Sequence, residues 1–294
     1  MNYLFLVLAG ILSGGIVFGG KILALLGATP FEVMFYPNLI GALLDLPFSW
    51  KSLRTIAGFP LSANLIFIAA VFVIAVGQYA PLFMNVSVTL VLLLLYLQPV
   101  WTILIEHFYF RLPVRPRNWF LVAAMVAGLV LLINPFAGEV KFSWLGITLA
   151  LAAGFGMSLW ILITQYFSRH NIKPAATYFC TCLYAAVPVF FLWLAARDYL
   201  MAAPDAVSIL GLDPARHLWA ALLLYSIFIY TPANTLVFYG NKNIPPAVVG
   251  MILLLEPVTG ITLDILFLQT PLTWNIIAGG AVILLSNLTL ILKK

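Results

Sequence analysis

The stretch Leu253-Leu254-Leu255-Glu256-Pro257-Val258, followed by Asp264 and Pro271, decides how this chain folds, because an earlier stretch repeats it. There Gln98-Pro99-Val100 is followed by Glu106 and Pro113, with the acid eight and the proline fifteen residues past the amide. Further on, Leu129-Val130-Leu131-Leu132-Ile133-Asn134 matches Val282-Ile283-Leu284-Leu285-Ser286-Asn287. The starts echo each other too, Leu8-Ala9-Gly10 with Leu151-Ala152-Ala153. The spacing predicts a duplicated unit, residues 1–137 and 138–294.

Working outward, the surroundings are apolar. Of the 294 residues, 64% are hydrophobic and 8% charged, with a mean hydropathy of +1.11. A soluble domain carries about 25% charged residues, so most of the surface must face hydrocarbon. A helix needs roughly 20 apolar residues to cross a bilayer. Ten spans are expected near 3–26, 31–49, 60–83, 86–107, 116–134, 144–167, 175–197, 217–240, 246–268 and 272–292. Prolines punctuate the breaks, and the longest connection, 198–216, has room for a short surface helix. The N-terminal stretch lacks the basic start of a signal peptide and reads as the first span.

The net charge of +5 does not mark a nucleic-acid binder, because the basic residues form no patch with interleaved aromatics. They sit in loops and set orientation. With the N-terminus inside, ten of the fourteen lie on the cytoplasmic side: Lys51, Arg54, Arg111, Arg115, Arg117, Arg169, Lys173, Lys242, Lys293 and Lys294. Lys141, Arg197 and Arg216 fall outside, and Lys21 lies within the first span. Both termini are then cytoplasmic, as in a bacterial inner membrane. Five spans per unit is odd, so the second copy enters from the opposite face. The expected fold is all-α and polytopic: ten transmembrane helices as two inverted five-helix repeats, an arrangement common among secondary transporters.

On these residues the chain resembles the drug/metabolite transporter superfamily, in particular its EamA family. Leu253 to Val258 is similar to a leucine-rich segment ending in Glu-Pro-Val. Gly14 to Lys21 resembles a first-helix motif ending in Lys, with Ser13 where Trp is usual, and Leu159-Trp160 fits the sixth helix. Departures are Phe110-Arg111 and Leu268-Gln269, where Gly-Glu is common, and Pro37-Asn38, where Arg is common. The resemblance implies a central cavity between the halves and export or exchange of small polar metabolites, with YddG-type amino-acid exporters the nearest subgroup.

Ionisable side chains in a span are costly and mark function or structural pairing. Glu256 sits beside Pro257, which removes a helical donor and frees a carbonyl upstream. It is expected to bind a substrate ammonium or accept a coupled proton. Its repeat-mate Gln98 shares a helix face with Trp101. Tyr79, Gln98, Trp101, Trp160, Asn234 and Glu256 are the candidate substrate-binding residues. Lys21, Glu106, Glu256 and Asp264 are the candidates for coupling or gating, with Lys21 either snorkelling outwards or pairing with Glu32 or Asp264. Asp45 reads as interfacial. Trp50, Trp119, Trp144, Trp219 and Trp274 lie near span ends, as aromatic belts require. Gly10-x-x-x-Gly14 and Gly15-x-x-x-Gly19 mark close helix crossings.

Catalysis is not expected. The three histidines lie at loops or span ends, and no zinc motif, nucleophile elbow or P-loop is present. Cys180 and Cys182 point apart on a helix and read as packing residues. No cofactor or metal is implied. The partners expected are a small-molecule substrate and the lipid bilayer, with the chain a monomer or weak homo-oligomer. A carrier working by alternating access is the leading function. A channel-like facilitator and a flippase for lipid or hydrophobic compounds are the alternatives.

Overall fold

The computed structural model describes residues 2–111, 113–133, 143–170, 172–200, 211–240, 249 and 252–292. Every described element is helical, and no strand occurs among the described residues. In order they are α1 (Asn2–Leu25), α2 (Pro30–Ala57), α3 (Leu61–Tyr79) with a 3-10 turn (Ala80–Phe83), α4 (Val88–Leu95), α5 (Gln98–Phe108), α6 (Pro116–Ile133), α7 (Trp144–Arg169) and α8 (Pro174–Leu200). Then come α9 (Arg216–Tyr225), a π-helical turn (Ser226–Tyr230), α10 (Thr231–Gly240), α11 (Leu255–Leu268) and α12 (Trp274–Leu292).

Six segments are long and apolar enough to cross a membrane: Tyr3–Leu25, Leu61–Phe83, Val88–Phe108, Trp144–Phe167, Pro174–Ala196 and Arg216–Gly240. Each agrees with an expected span to within two residues. Pro116–Leu132 and Trp274–Thr289 are shorter apolar helices. α2 is long enough at 28 residues but carries Glu32, Asp45, Lys51 and Arg54. Six clear spans plus shorter apolar helices is therefore what the structure establishes. Parts of several expectations lie outside the described residues: most of the 246–251 start of the ninth span, most of 198–216, the 137/138 boundary, Asn134, and Lys141, Lys242, Lys293 and Lys294.

The expected fourth span is two helices rather than one. Pro99 has no N–H to give the carbonyl four residues back, so the ladder fails there. Val100 N–H donates to the Leu97 carbonyl at 2.9 Å instead, and the Tyr96 carbonyl is left over. Asn287 Nδ2 on α12 donates to it at 2.7 Å. Pro257 does the same to α11, and the freed Leu253 carbonyl accepts the Tyr96 hydroxyl at 2.8 Å. In a third case Pro232 cannot serve Phe228, and the chain widens into the π turn, where Thr231 N–H reaches the Ser226 carbonyl.

Helix starts follow local chemistry. Thr29-Pro30-Phe31-Glu32 makes a reciprocal cap: Glu32 N–H donates to Thr29 Oγ1 at 3.1 Å and Thr29 N–H to Glu32 Oε2 at 2.9 Å. Ser87 Oγ accepts Leu90 N–H at the start of α4.

Packing pairs α2 with α8, α3 with α7 and α6 with α12. α1 lies against α10 and α11, while α7 lies against α3, α4 and α5. The two small-residue pairs on α1 serve two faces. Built side chains at Gly10 and Gly14 would meet Leu255 and the Glu256–Gly260 backbone of α11. Those at Gly15 and Gly19 would meet Ile229 and the Tyr225 ring. Outside, Leu4, Leu8 and Ile11, with Phe190 and Phe191, are exposed to hydrocarbon, and Trp50, Trp144 and Trp274 are exposed at helix ends. Cys180 and Cys182 are buried and free.

Two non-glycine residues hold left-handed backbone at matching places: Arg111 (φ 53°) and Gln269 (φ 52°), each thirteen residues past Gln98 or Glu256. These are the second positions of the Phe110-Arg111 and Leu268-Gln269 pairs. A left-handed residue with a Cβ costs roughly 1–2 kcal/mol, so Gln269→Gly should raise the melting temperature of the purified protein. Gly14→Val should lower it by overpacking the α1–α11 crossing, a cost of about 1–3 kcal/mol, since even one methyl there would sit 2.6 Å from the Glu256 carbonyl oxygen. Equal melting temperatures for both variants and the parent would show that neither contact shapes the bundle.

Candidate functional site

Three polar assemblies sit inside this apolar bundle. The first surrounds the proline breaks. Tyr96, already bonded to the Leu253 carbonyl, also reaches Glu256 Oε2 at 3.2 Å. Two residues on, the Gln98 amide donates to Thr102 Oγ1 at 2.5 Å, while the Gln98 carbonyl accepts Ser158 Oγ of α7 at 2.7 Å. Gln98 and Glu256 are thus joined through the α4–α5 break rather than to each other. Trp101 packs edge-on to Phe155 at 5.7 Å, and its buried Nε1–H has no partner.

The second assembly is a tyrosine cluster between α2, α3, α8 and the π turn. The Tyr79 and Tyr225 hydroxyls are 2.9 Å apart, and Tyr225 donates to the Ile16 carbonyl at 2.9 Å. Tyr230 donates to Asn38 Oδ1 at 2.7 Å, and Asn38 Nδ2 to the Met34 carbonyl at 2.8 Å. Two hydroxyls remain over. Tyr178 OH and Thr231 Oγ1 are buried without a hydrogen-bond partner. They lie beside Cys182 around Gly41, and Tyr178 interacts electrostatically with both Thr231 and Cys182 without a bond of good geometry to either. Trp160 donates to Thr181 Oγ1 at 3.2 Å and packs on Phe238 of α10 at 5.6 Å. Asn234 donates to its own helix, at the Tyr230 carbonyl, 2.8 Å away.

This cluster borders a cavity of about 330 Å³ between α2 and α10, lined by Leu44, Asp45, Phe48, Thr231, Thr235 and Tyr239. Asp45, which reads as interfacial in the sequence, is 6% exposed and so buried within the bundle. Ser49 Oγ holds it with a 2.5 Å bond to Oδ2 and also meets the Asp45 carbonyl at 2.8 Å.

The third assembly is at the other end of the bundle. A cavity of about 300 Å³ is lined by Lys21, Leu25, Asn85, Ser87, Asp264 and Thr270, among others. Lys21 Nζ donates to the Leu82 carbonyl at 2.6 Å. Asp264 Oδ2 accepts Thr89 N–H at 2.8 Å and Thr89 Oγ1 at 2.6 Å, and its Oδ1 accepts Thr270 Oγ1 at 2.9 Å. Lys21 and Asp264 line the same cavity. Glu32 caps its own helix instead. Glu106 is half-buried near the end of α5 and lines neither cavity.

None of the six candidate substrate residues lines either of these two cavities. Sequence reasoning missed Asp45, Tyr178, Thr235 and Asn38. A signal existed, since Asn38, Gly41, Asp45 and Ser49 recur at helical spacing and put small and polar groups on one stripe of α2. No group of three or more His, Cys, Asp or Glu side chains placed to share a metal ion occurs among the described residues.

A helical bundle with several membrane-length apolar helices and polar chambers among them defines an integral membrane protein. The EamA-like transporter family matches in two segments, residues 1–134 and 144–292, and the chain belongs to that family. It is therefore a membrane transporter. An uncharacterized transporter from Clostridium kluyveri is 25% identical over 98% of this chain and 92% of its own. A solved crystal structure of another protein covers 95% of this chain and 94% of its own at 18% identity, with a TM-score of 0.58, a likeness of fold alone.

The two orphan hydroxyls give a direct test. Burying an unpaired hydroxyl costs roughly 1–3 kcal/mol, so Tyr178→Phe and Thr231→Val should leave the melting temperature unchanged or raise it. Tyr225→Phe, which loses bonds to Tyr79 and Ile16, should lower it. Destabilisation by Tyr178→Phe comparable to that by Tyr225→Phe would show that Tyr178 is already satisfied in the folded protein.

Proposed function

We propose that this transporter moves a small polar metabolite, an amino acid or similar compound, by alternating access, as an exporter or exchanger. Two inverted five-helix halves, residues 1–137 and 138–294, make ten spans with both termini in the cytoplasm of a bacterial cell. The observation that carries the reading is the meeting of two broken helices: the Tyr96 hydroxyl on the Leu253 carbonyl freed by Pro257. Broken helices that meet between halves are how secondary carriers expose backbone to a polar chamber.

The packing supports the halves. Exchange each helix for its counterpart and α1 against α10 and α11 becomes α7 against α3 and α4–α5, while α2–α8 and α6–α12 map onto themselves. The matched left-handed residues Arg111 and Gln269 obey the same exchange. The break between the family's two matched segments falls near the halfway point of the chain. The cavities also suit alternating access. Leu44 and Phe48 lie 14–18 residues along α2 from its start, which adjoins the end of α1. At 1.5 Å per residue that is about 21–27 Å, so the chambers sit near opposite faces of a core about 30 Å thick.

A thermal-shift screen of metabolites, then uptake of each hit into proteoliposomes, tests this. Uptake should saturate, and unlabelled solute inside should accelerate entry of label outside. Flux that rises linearly without such counterflow would make the protein a channel, and transfer of labelled lipid between leaflets would make it a flippase. Glu256→Gln should abolish accumulation driven by a proton gradient yet retain counterflow. Normal proton-driven accumulation by that variant would remove Glu256 from coupling.

A further inference from the structure

The cavity between α2 and α10 has a chemistry of its own. Its lining carries one carboxyl, Asp45, two threonine hydroxyls and two aromatic rings, and no basic side chain among the described residues. Asp45 is 6% exposed, whereas Phe48, Tyr239 and Leu44 at the rim are 70%, 45% and 43% exposed. The acid thus lies at the floor of an aromatic-edged pit. Its Oδ2 is held by Ser49, and among the described residues Oδ1 accepts no hydrogen bond. A carboxylate out of water needs a counter-charge or hydrogen bonds to compensate its desolvation. One hydroxyl bond leaves that need unmet.

Thr231 adds an independent observation. Helical serines and threonines bond the carbonyl four residues back. Thr181, Thr262, Thr289 and Ser226 all do so here, at 2.6–2.9 Å. Thr231 does not: at the junction of the π turn and α10 its Oγ1 is buried and unpartnered while lining the cavity. A spare acceptor and a spare carboxylate oxygen on facing walls are complementary to a group with several N–H donors. Phe48 and Tyr239 supply π faces that attract the same positive charge.

The geometry points to a binding site for organic ammonium compounds in this cavity, with Asp45 as counter-ion, Thr231 and Thr235 as acceptors, and Phe48 and Tyr239 as the aromatic rim. The assignment rests on the carrier reading above and names its substrate class. At about 330 Å³ the space is near the lower end of small-molecule sites, about 300–1,000 Å³, which suits a guest of roughly ten heavy atoms.

Three compounds of one shape and different charge test it on the purified full chain: 2-phenylethylammonium, 2-phenylethanol and phenylacetate. On the unmodified protein the ammonium compound should bind saturably, at least tenfold tighter than either other. Asp45→Asn should weaken it by roughly tenfold to a hundredfold, the range for a charge-assisted hydrogen bond, and bring ammonium and alcohol level. Thr235→Val should weaken it by a smaller factor. No saturable binding of the ammonium compound at millimolar concentration, or equal binding of phenylacetate, overturns the site even if Asp45→Asn fails to fold. Ammonium binding that Asp45→Asn leaves intact overturns it too. The two readings fail separately. Asp45-dependent binding without counterflow upholds the site and rejects the carrier, whereas counterflow of another solute undiminished in Asp45→Asn rejects the site alone.

Discussion

Hydrocarbon offers no partner to a backbone carbonyl, so each break in a membrane helix must be closed from within the protein. Pro99 and Pro257 both break helices, and much of the polar interior answers that demand. Asn287 reaches from α12 to the Tyr96 carbonyl, and Tyr96 reaches back to the Leu253 carbonyl and to Glu256. These bonds tie α4, α11 and α12 together at the breaks. Gly154 of α7 approaches the neighbouring Leu94 and Leu95 carbonyls so closely that a Cβ would sit 3.3 Å from each. A continuous helix in either place would make these contacts unnecessary and leave Asn287 and Tyr96 with buried polar groups to satisfy.

The Pro232 break is resolved differently. The helix widens by one residue, and Thr231 N–H reaches the Ser226 carbonyl within the same helix. Because the repair is local, no outside donor is drawn in, and the side chains around it are left to other purposes. Tyr225 and Tyr230 use theirs to bind α1 and α2. Thr231 and Tyr178 make no hydrogen bond of good geometry with theirs. An unpaired buried hydroxyl is a standing cost, and it sits next to a cavity that holds a sparsely bonded carboxyl. Trp101 Nε1 and Asn287 Oδ1 are also buried without a partner, but among these atoms only Thr231 Oγ1 belongs to a residue lining either cavity.

Much of the fold was legible because hydropathy and proline act locally. The ends of the six clear spans fell within two residues, whereas α2 runs on to Ala57, eight residues past its expected end, and the consequence of Pro257 for the carbonyl upstream was readable from chemistry alone. The glycine pairs of α1 were legible as crossings, though not their partners. The site was harder. Gln98 reads as a substrate-binding candidate from the sequence, and its amide bonds Thr102 while its carbonyl accepts Ser158; only packing reveals which neighbour meets a polar group first. Asp45 looked interfacial because it lies late in its span. Its burial comes from α8, where the Ala175 carbonyl lies 3.2 Å from Ser49 Oγ, on the far side of the bond that holds the acid. Sequence distance from a loop says nothing of that neighbour.

The position of α1 follows from the same reasoning. Its Gly15 and Gly19 face rests on Ile229 and Tyr225, the flank of the π turn next to the Asp45 chamber. Its Gly10 and Gly14 face rests on α11 beside Glu256. Its last turns carry Lys21 into the second chamber, opposite Asp264. Small residues let backbones touch with little side chain between them, so α10 or α11 cannot shift far without moving α1 or opening a void, and interiors packed to crystal density resist voids. A guest that drew Thr231 towards Asp45 would load the π turn, hence Tyr225, hence α1, and through it the lysine at the far cavity. The chain of contacts is continuous, because Tyr225 meets α1 twice, with its ring on Gly19 and its hydroxyl on the Ile16 carbonyl.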